Sequence, residues 1–503
     1  MNNHLTHAPN TPNAQAKKRN DKQLNMLNIR PADLGSKAFC EDYGIEYAYL
    51  SGAMYKGIAS KELVIAMGKA GLMGFLGAGG MKPAQLRDNI QAIKASLNHN
   101  QTFGVNVLAN TENPAVEMQT VDLLLQQGVQ NIEAAAFTQI TPAIVKFRLS
   151  GFSDVSHSGK ANTAGKNSHT RIIAKLSRPE IAELFMSPPP ANIVASLLDS
   201  GQITPEQASI APHIPVAQDI CVESDSGGHT DAGIATVLLP SIMALRTRLM
   251  QQFEYSQPIR IGAAGGIGTP ESVLAMQMLG ADFFVTGSIN QCTVEAGTSD
   301  AAKDILQSID VQDTAYAPAG DMFEIGAQVQ VVRKGLLFAN RGNKLYELYQ
   351  RCNSLDDIEP KLQKQIQDKY FKRSFDEVWQ ETAEYLQRTR PQALSAIANH
   401  PKKKLAAVLK WYFVHSTRLA LSGSDSQRAD YQIHCGPALG AFNQWVKGTP
   451  LEHWRNRHVA HIADTLMQGA ADLLAQQLAR FAGSKVSSNC ASTQTQPSGS
   501  DHE

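Results

Sequence analysis

Arg260-Ile-Gly-Ala-Ala-Gly-Gly-Ile-Gly-Thr-Pro270, followed by Phe283-Phe-Val-Thr-Gly-Ser288, is the part of the chain that decides the fold. Each segment is a short apolar, strand-like run that ends in glycine. After the first, Thr269-Pro270 opens a helical pattern, with proline in the first turn, where its missing N–H costs nothing. Small residues at a strand-to-helix turn leave backbone N–H groups free for an anionic phosphate. Two such turns in succession, the second carrying the hydroxyl of Ser288, match the phosphate site that the last two strands of a (β/α)₈ barrel build. Gly265, Gly266, Ile267, Thr286, Gly287 and Ser288 are the candidate phosphate-side residues.

Upstream, the same alternation repeats. Candidate strands are Glu46–Leu50, Leu72–Leu76, Thr102–Leu108, Asn131–Ala135, Arg171–Ala174 and Ile220–Glu223, ahead of Arg260–Ala264 and Phe283–Thr286. Helical patterns fall at Lys61–Ala70, Pro83–Leu97, Pro114–Gln127, Thr230–Met250 and Pro270–Leu279. Buried parallel strands joined by helices define an α/β fold, and eight of them suit a closed TIM barrel. An open doubly wound sheet is the alternative from pattern alone.

Four regions are expected: a disordered segment over 1–29, the barrel over 30–343, a helical region over 344–483, and a disordered tail over 484–503. The barrel carries an insertion at about 150–215, longer than an ordinary connection. Its first part, rich in Gly, Ser, His, Asn and Lys, reads as a mobile loop; the rest is expected either at the barrel mouth, as a lid or a carrier-docking element, or as a surface excursion without a role. The helical region is anchored by Trp379, Trp411, Tyr412 and Trp445, which read as core.

Lys plus Arg and Asp plus Glu number 46 each, so charge gives no argument for nucleic acid as the partner. No run approaches the roughly 20 apolar residues that cross a bilayer, and no membrane insertion is expected. The six cysteines form no Cys-x-x-Cys pair, which argues against a zinc or thioredoxin-like site. A polar N-terminus without an apolar stretch is expected of a reduced, cytoplasmic protein.

Asp219-Ile-Cys-Val-Glu-Ser-Asp-Ser-Gly-Gly-His-Thr-Asp231 carries the chemistry. An apolar strand runs into a carboxylate cluster, then Gly227, Gly228 and His229. The two glycines are expected to let the backbone approach a flat ligand, with His229 at the catalytic end of the sixth strand and Glu223, Asp225 and Asp231 as its supports. Gly52, Ala53 and Met54 form a small turn after the first strand that suits an isoalloxazine face. Asn106 can donate to and accept from the polar edge of such a ring. Lys175, after the fifth strand, is a cation suited to a reduced, anionic flavin. With no Gly-x-x-x-x-Gly-Lys-[Ser/Thr] and no dinucleotide fingerprint near the first strand, FMN fits better than a nucleoside triphosphate.

These motifs resemble the nitronate monooxygenase-like FMN-binding barrels, which include enoyl-carrier-protein reductases. Ser51-Gly-Ala-Met-Tyr-Lys-Gly-Ile-Ala59, Asp321-Met-Phe-Glu-Ile-Gly-Ala-Gln-Val-Gln330 and Asp430-Tyr-Gln-Ile-His-Cys-Gly-Pro-Ala-Leu-Gly-Ala-Phe442 narrow the resemblance to the PfaD-type trans-acting enoyl reductases of polyunsaturated fatty acid and polyketide synthases. The resemblance spans roughly residues 30–480. It implies bound FMN, NADPH as reductant, acyl-carrier-protein domains of a synthase complex as partners, and a homodimer. It also implies that His229 lies over the ring beside a trans-2-enoyl thioester. One departure stands out: Ala232-Gly233-Ile234 follows His-Thr-Asp, where the polyketide members often have Asn-Arg-Pro. The competing readings are a nitronate monooxygenase-type flavin oxidase and a non-catalytic docking subunit of a megasynthase.

Overall fold

The computed structural model describes residues 28–111, 113–152 and 168–481. The expected disorder over 1–27 and 484–503, and most of the expected mobile loop, lie outside the described residues. Strands are β1 (Tyr49–Ser51), β2 (Met73–Leu76), β3 (Gly104–Leu108), β4 (Asn131–Ala135), β5 (Arg171–Leu176), β6 (Asp219–Glu223), β7 (Gly228–Thr230), β8 (Arg260–Ala264), β9 (Phe284–Thr286), β10 (Thr314–Pro318) and β11 (Gln328–Val332).

The barrel closes in the order β1-β2-β3-β4-β5-β6-β8-β9, with β9 returning to β1 and every pairing parallel. This is the (β/α)₈ TIM barrel, and the open sheet is excluded. The eight barrel strands are the eight expected ones, displaced only at their ends. The strands read as continuous apolar runs because both faces are buried, one by the barrel interior and one by helices. Leu50, Met73, Phe75, Ile173, Cys221, Phe283 and Val285 fill the interior. Gly104 and Gly262 make room for the two large rings. A Cβ at either position would sit 2.2 Å from Phe75 or 2.3 Å from Phe283.

Helix Lys37–Tyr43 plugs the end of the barrel where the strands begin. Ser36 caps its first turn and Gly44 ends it in the left-handed conformation. Phe39 stacks on Phe283 with centroids 4.3 Å apart, and Tyr43 donates to Asp219 at 2.7 Å. Arg260 spans Asp219 and Asp42 at 2.5 and 2.6 Å. With this end sealed, the interior opens only at the strands' C-terminal ends.

The inserted helices are not at that mouth. Helix Pro179–Met186 runs back from the end of β5, so residues 187–218 leave and re-enter at the sealed end. There, helices Ala191–Asp199 and Pro205–Ile210 pack Val194, Leu197 and Ile210 on Val145, Leu149 and Phe152. Arg148 ties the excursion down through Pro215 O and Thr170 O at 3.2 and 3.3 Å. The expected lid is therefore displaced by the length of a strand from any ligand at the mouth.

A three-stranded antiparallel sheet, β10-β11-β7, stands over the mouth. It takes up Gly228–Thr230, which the sequence placed at the end of the sixth strand and the start of a helix. The helix begins only at Ala235 and runs to Phe253. The delay has a backbone cause: Ala232 is left-handed at φ 54°, and Thr230 Oγ1 accepts from Ala232 N at 3.0 Å.

The helical region starts earlier than 344, with helix Phe338–Arg351, and surrounds Phe323, Phe371, Tyr412 and Phe413. Trp379 and Trp411 pack against that cluster and Trp445 against the main core, as expected of core aromatics. The expected helix Leu362–Tyr370 is an α-helix over Pro360–Gln365 that widens into a π-helix over Ile366–Phe371. The last helix, Val459–Phe481, lies on helix Pro270–Met278 so closely that a Cβ at Gly469 would fall 2.7 Å from Pro270. None of the described helices is long and apolar enough to cross a membrane.

Candidate active site at the barrel mouth

The last inward-facing layer of the barrel is charged. Lys175 Nζ lies 3.4 Å from Glu133 Oε1 and 3.4 Å from Glu223 Oε1. Glu133 is 2% exposed. Burial raises its carboxyl above the ordinary range, and the Lys175 ammonium opposes that rise. Burial works against the lysine's charge in turn, but the two carboxylates outweigh it and hold the ammonium protonated. Lys175 therefore lies inside β5, as an inward residue, and not after the strand. Alternation decides this: Ile173 and Lys175 face inward, while Ile172 and Ala174 pack outward against the helices. Glu133 Oε2 also accepts from Ala53 N at 3.2 Å, which ties the Gly52–Met54 turn to the charged layer.

Asn106 is buried in β3. Its Oδ1 accepts from Ala78 N at 2.8 Å, and its Nδ2 has no protein acceptor among the described residues. It combines a structural acceptor with a free donor. Ala53 packs on the barrel interior and Met54 on the outer core.

At β8 and β9 the two glycine turns stand side by side. Gly265 and Gly266 have φ of +85° and +72°. A Cβ at Gly265 would strike Ser224 O at 2.5 Å, whereas Gly266 and Gly287 face open space with nothing within 4 Å. Among the described residues, the N–H groups of Gly266 and Gly287 donate to no backbone carbonyl. Free amides around an open space are what a phosphate requires. Ile267 is buried in the core, so its side chain is not part of that space. Thr286 is also buried, held between Tyr49 at 2.5 Å and Asn290 at 2.9 Å; it shapes the turn from beneath. Ser288 Oγ accepts from Gly436 N at 3.1 Å.

His229 is not where the sequence put it. It lies in β7, opposite Val329 of β11, half-exposed on the sheet above the mouth. Its Nε2 lies 2.8 Å from Asp321 Oδ1. Burial opposes its charged form, but the Asp321 carboxylate prevails and raises its pKa. The expected supports have other partners. Asp225 accepts from Thr230 at 2.8 Å and from Tyr316 at 2.5 Å. Asp231 pairs with Arg178 at 2.7 Å, and Glu223 belongs to Lys175. The glycines before His229 also serve another purpose. A Cβ at Gly227 would sit 2.7 Å from Cys435 Cα, so the close approach is to a second chain segment and not to a ligand.

The sequence reading assigned no role to Asp321, Tyr316, Gln330 or His434. Asp321, Gln330 and His434 fall inside two of the three stretches that carried the family resemblance, which is the one signal that pointed at them. No group of three or more His, Cys, Asp or Glu among the described residues is placed to hold a metal ion.

The barrel mouth thus combines a charged floor, two open glycine turns and a histidine–aspartate pair. The nitronate monooxygenase family matches residues 39–334, and the chain belongs to that family. Residues 352–431 match the inserted helical domain of [acyl-carrier-protein] S-malonyltransferase. The chain is 48% identical over 475 residues to polyketide biosynthesis protein PksE of Bacillus subtilis, covering 94% of this chain and 61% of that protein. It is 39% identical over 457 residues to one of the polyunsaturated fatty acid synthase subunits of Thraustochytrium sp., covering 89% of this chain and 30% of that protein. It thus spans less than two thirds of the length of these relatives. The enoyl reductase domain of MlnA, from the macrolactin biosynthesis cluster of Bacillus amyloliquefaciens, superposes with a TM-score of 0.84 at 42% identity, covering 89% of this chain and 99% of that one.

Proposed function

We propose that this chain is an FMN- and NAD(P)H-dependent enoyl reductase that acts in trans on trans-2-enoyl thioesters carried by acyl-carrier-protein domains of a polyunsaturated fatty acid or polyketide synthase. The observation that carries this reading is the mouth itself. Free amides at Gly266 and Gly287 suit the FMN phosphate, while Asn106 Nδ2, the Gly52–Met54 turn and Lys175 line the approach to the barrel floor. The likeness to the MlnA enoyl reductase domain supports the choice of reaction, and the malonyltransferase-type helical match supports a carrier-protein setting.

Bound FMN would supply hydride chemistry, with NADPH as the source of electrons. The protein's own part is binding and proton management. Asp321 raises the pKa of His229 and orients its ring. An imidazolium beside the thioester would stabilise negative charge on the carbonyl oxygen and return a proton to the α-carbon. Lys175 would face the pyrimidine edge of the ring, although Glu133 and Glu223 already neutralise its charge. Held between these two carboxylates, Lys175 would serve as a hydrogen-bond donor of fixed position.

The test is anaerobic absorbance spectroscopy of the purified protein. A flavin spectrum that bleaches with NADPH and recovers on adding crotonyl-pantetheine is the expected outcome. Oxidation of a nitroalkane with oxygen, without nicotinamide, would replace this reading with that of a nitronate oxidase. A protein that takes up no FMN would leave the docking-subunit reading.

A further inference from the structure

The extended run Tyr431–Gly436, from the helical region, returns to the mouth and continues the edge of the three-stranded sheet. Ile433 O accepts from Val332 N at 2.9 Å, and Cys435 N donates to Gln330 O at 3.1 Å. His434 thereby stands opposite Val331, just as His229 stands opposite Val329. Val329 and Val331 are two residues apart, so they share a face, and so do the histidines paired with them. Two residues of strand amount to roughly 7 Å. The sheet therefore sets a second imidazole on the same face as His229, one same-face step further along the edge.

The hydrogen bonds of His434 define its tautomer. Gln432 Oε1 accepts from Thr417 Oγ1 at 3.0 Å, so the Gln432 amide nitrogen is the group that faces His434 Nε2 at 2.8 Å. That ring nitrogen is an acceptor, which leaves the proton of the neutral ring on Nδ1. Nδ1 has no protein partner among the described residues. It lies 3.5 Å from where a Cβ at Gly228 would be, and Gly228, at φ +88°, has none. The ring stays neutral: burial, with the His229 charge beside it, pushes its pKa down to about 4, against the pull of Asp321. The groups around it are His229, Asp321, Gln432 and the Gly228 backbone.

We propose that His434 is a second substrate-side residue of the reaction, a fixed neutral donor whose Nδ1–H binds the carbonyl oxygen of the acyl thioester next to His229. This rests on the enoyl reductase reading. His434 neither gives up nor takes up a proton. As the β-carbon gains a hydride equivalent, the C=C electron pair moves onto the thioester oxygen, where the Nδ1–H meets the developing charge. The α-carbon then takes its proton from His229, which solvent restores. The division of labour follows from the two environments: the carboxylate of Asp321 favours the charged form of one ring, and burial favours the neutral form of the other.

The experiment compares the wild-type protein with His434→Ala, His434→Phe and His434→Asn. Crotonyl-pantetheine is bound to the oxidised proteins without NADPH, and the infrared band of its carbonyl is recorded. Steady-state reduction with NADPH is measured in parallel. The expected result is a carbonyl band at lower frequency in the wild type than in solution. Ala and Phe shift it back toward the solution value and lower kcat roughly 100-fold with little change in KM. Asn, whose amide N–H stands near the lost Nδ1–H, restores part of both. Phe preserves ring packing, so it decides the matter if the alanine variant does not fold. A wild-type band and kcat in Ala or Phe overturns the role of His434. A wild-type protein that retains flavin but neither binds nor reduces crotonyl-pantetheine overturns the enoyl reductase reading and this role with it.

Discussion

His229 and Asp321, 92 residues apart in the chain, meet at 2.8 Å on the sheet above the barrel mouth. Neither belongs to the barrel. β11 holds His229 by strand pairing, and the loop between β10 and β11 supplies Asp321. The acidic cluster beside His229 in sequence is committed to Lys175, Tyr316 and Arg178 instead. The pKa of His229 is therefore set by an element that closes over the barrel.

Asp321→Asn should move the pH profile of reduction. Asp321 raises the His229 pKa, so the protonated histidine persists to higher pH in the wild type than it would alone. If the protonated form is the active one, activity falls as pH rises through that pKa. Removing the carboxylate lowers the pKa and shifts the alkaline limb of kcat to lower pH. An unchanged limb in the Asn variant would detach His229 from the rate.

His229→Ala should keep the flavin and lose enoyl reduction by about 10²–10⁴-fold. The ring is half-exposed and fills no core, so folding should be unaffected. Flavin content by absorbance and turnover with crotonyl-pantetheine measure the two quantities separately.

Gly287→Asp should separate the ligand site from the fold. No protein atom lies within 4 Å of a Cβ there, so the ligand-free protein should unfold within about 0.5 kcal/mol of the wild type. The new carboxylate would repel a phosphate, and FMN retention through gel filtration should fall at least tenfold. Undiminished FMN binding would place the phosphate elsewhere.

Lys175→Met should destabilise the protein by about 3–5 kcal/mol, because it strips Glu133 and Glu223 of their shared counter-ion in a nearly closed layer. Adding Glu133→Gln should recover part of the loss, since one unpaired charge then disappears. Urea unfolding of the single and double variants gives both numbers. An additive pair would mean that the ion pair carries no coupling.

Short-range patterns determined much of this protein. Strands β1 to β6, β8 and β9 were legible because buried parallel strands leave apolar runs, and their helices because proline marks the first turns of Pro83–Ser96, Pro114–Gln126 and Pro270–Met278. The two glycine turns were legible because glycine adopts φ near +85° and +72°, as at Gly265 and Gly266, without the strain of a side chain. Tertiary structure decided the rest. Lys175 reads as a strand-end cation until barrel closure turns it inward between two carboxylates. Gly227 reads as a ligand turn until Cys435 occupies the space it leaves. The insertion reads as a lid until the return of helix Pro179–Met186 puts it at the sealed end. His229 acquires Asp321, and His434 its place beside them, only when β7 and the run from Tyr431 line up along β11. The physical reason is one of range: periodicity and turn chemistry act over a few neighbouring residues, whereas a strand edge brings together any two segments that can satisfy its hydrogen bonds, however far apart they lie in the chain.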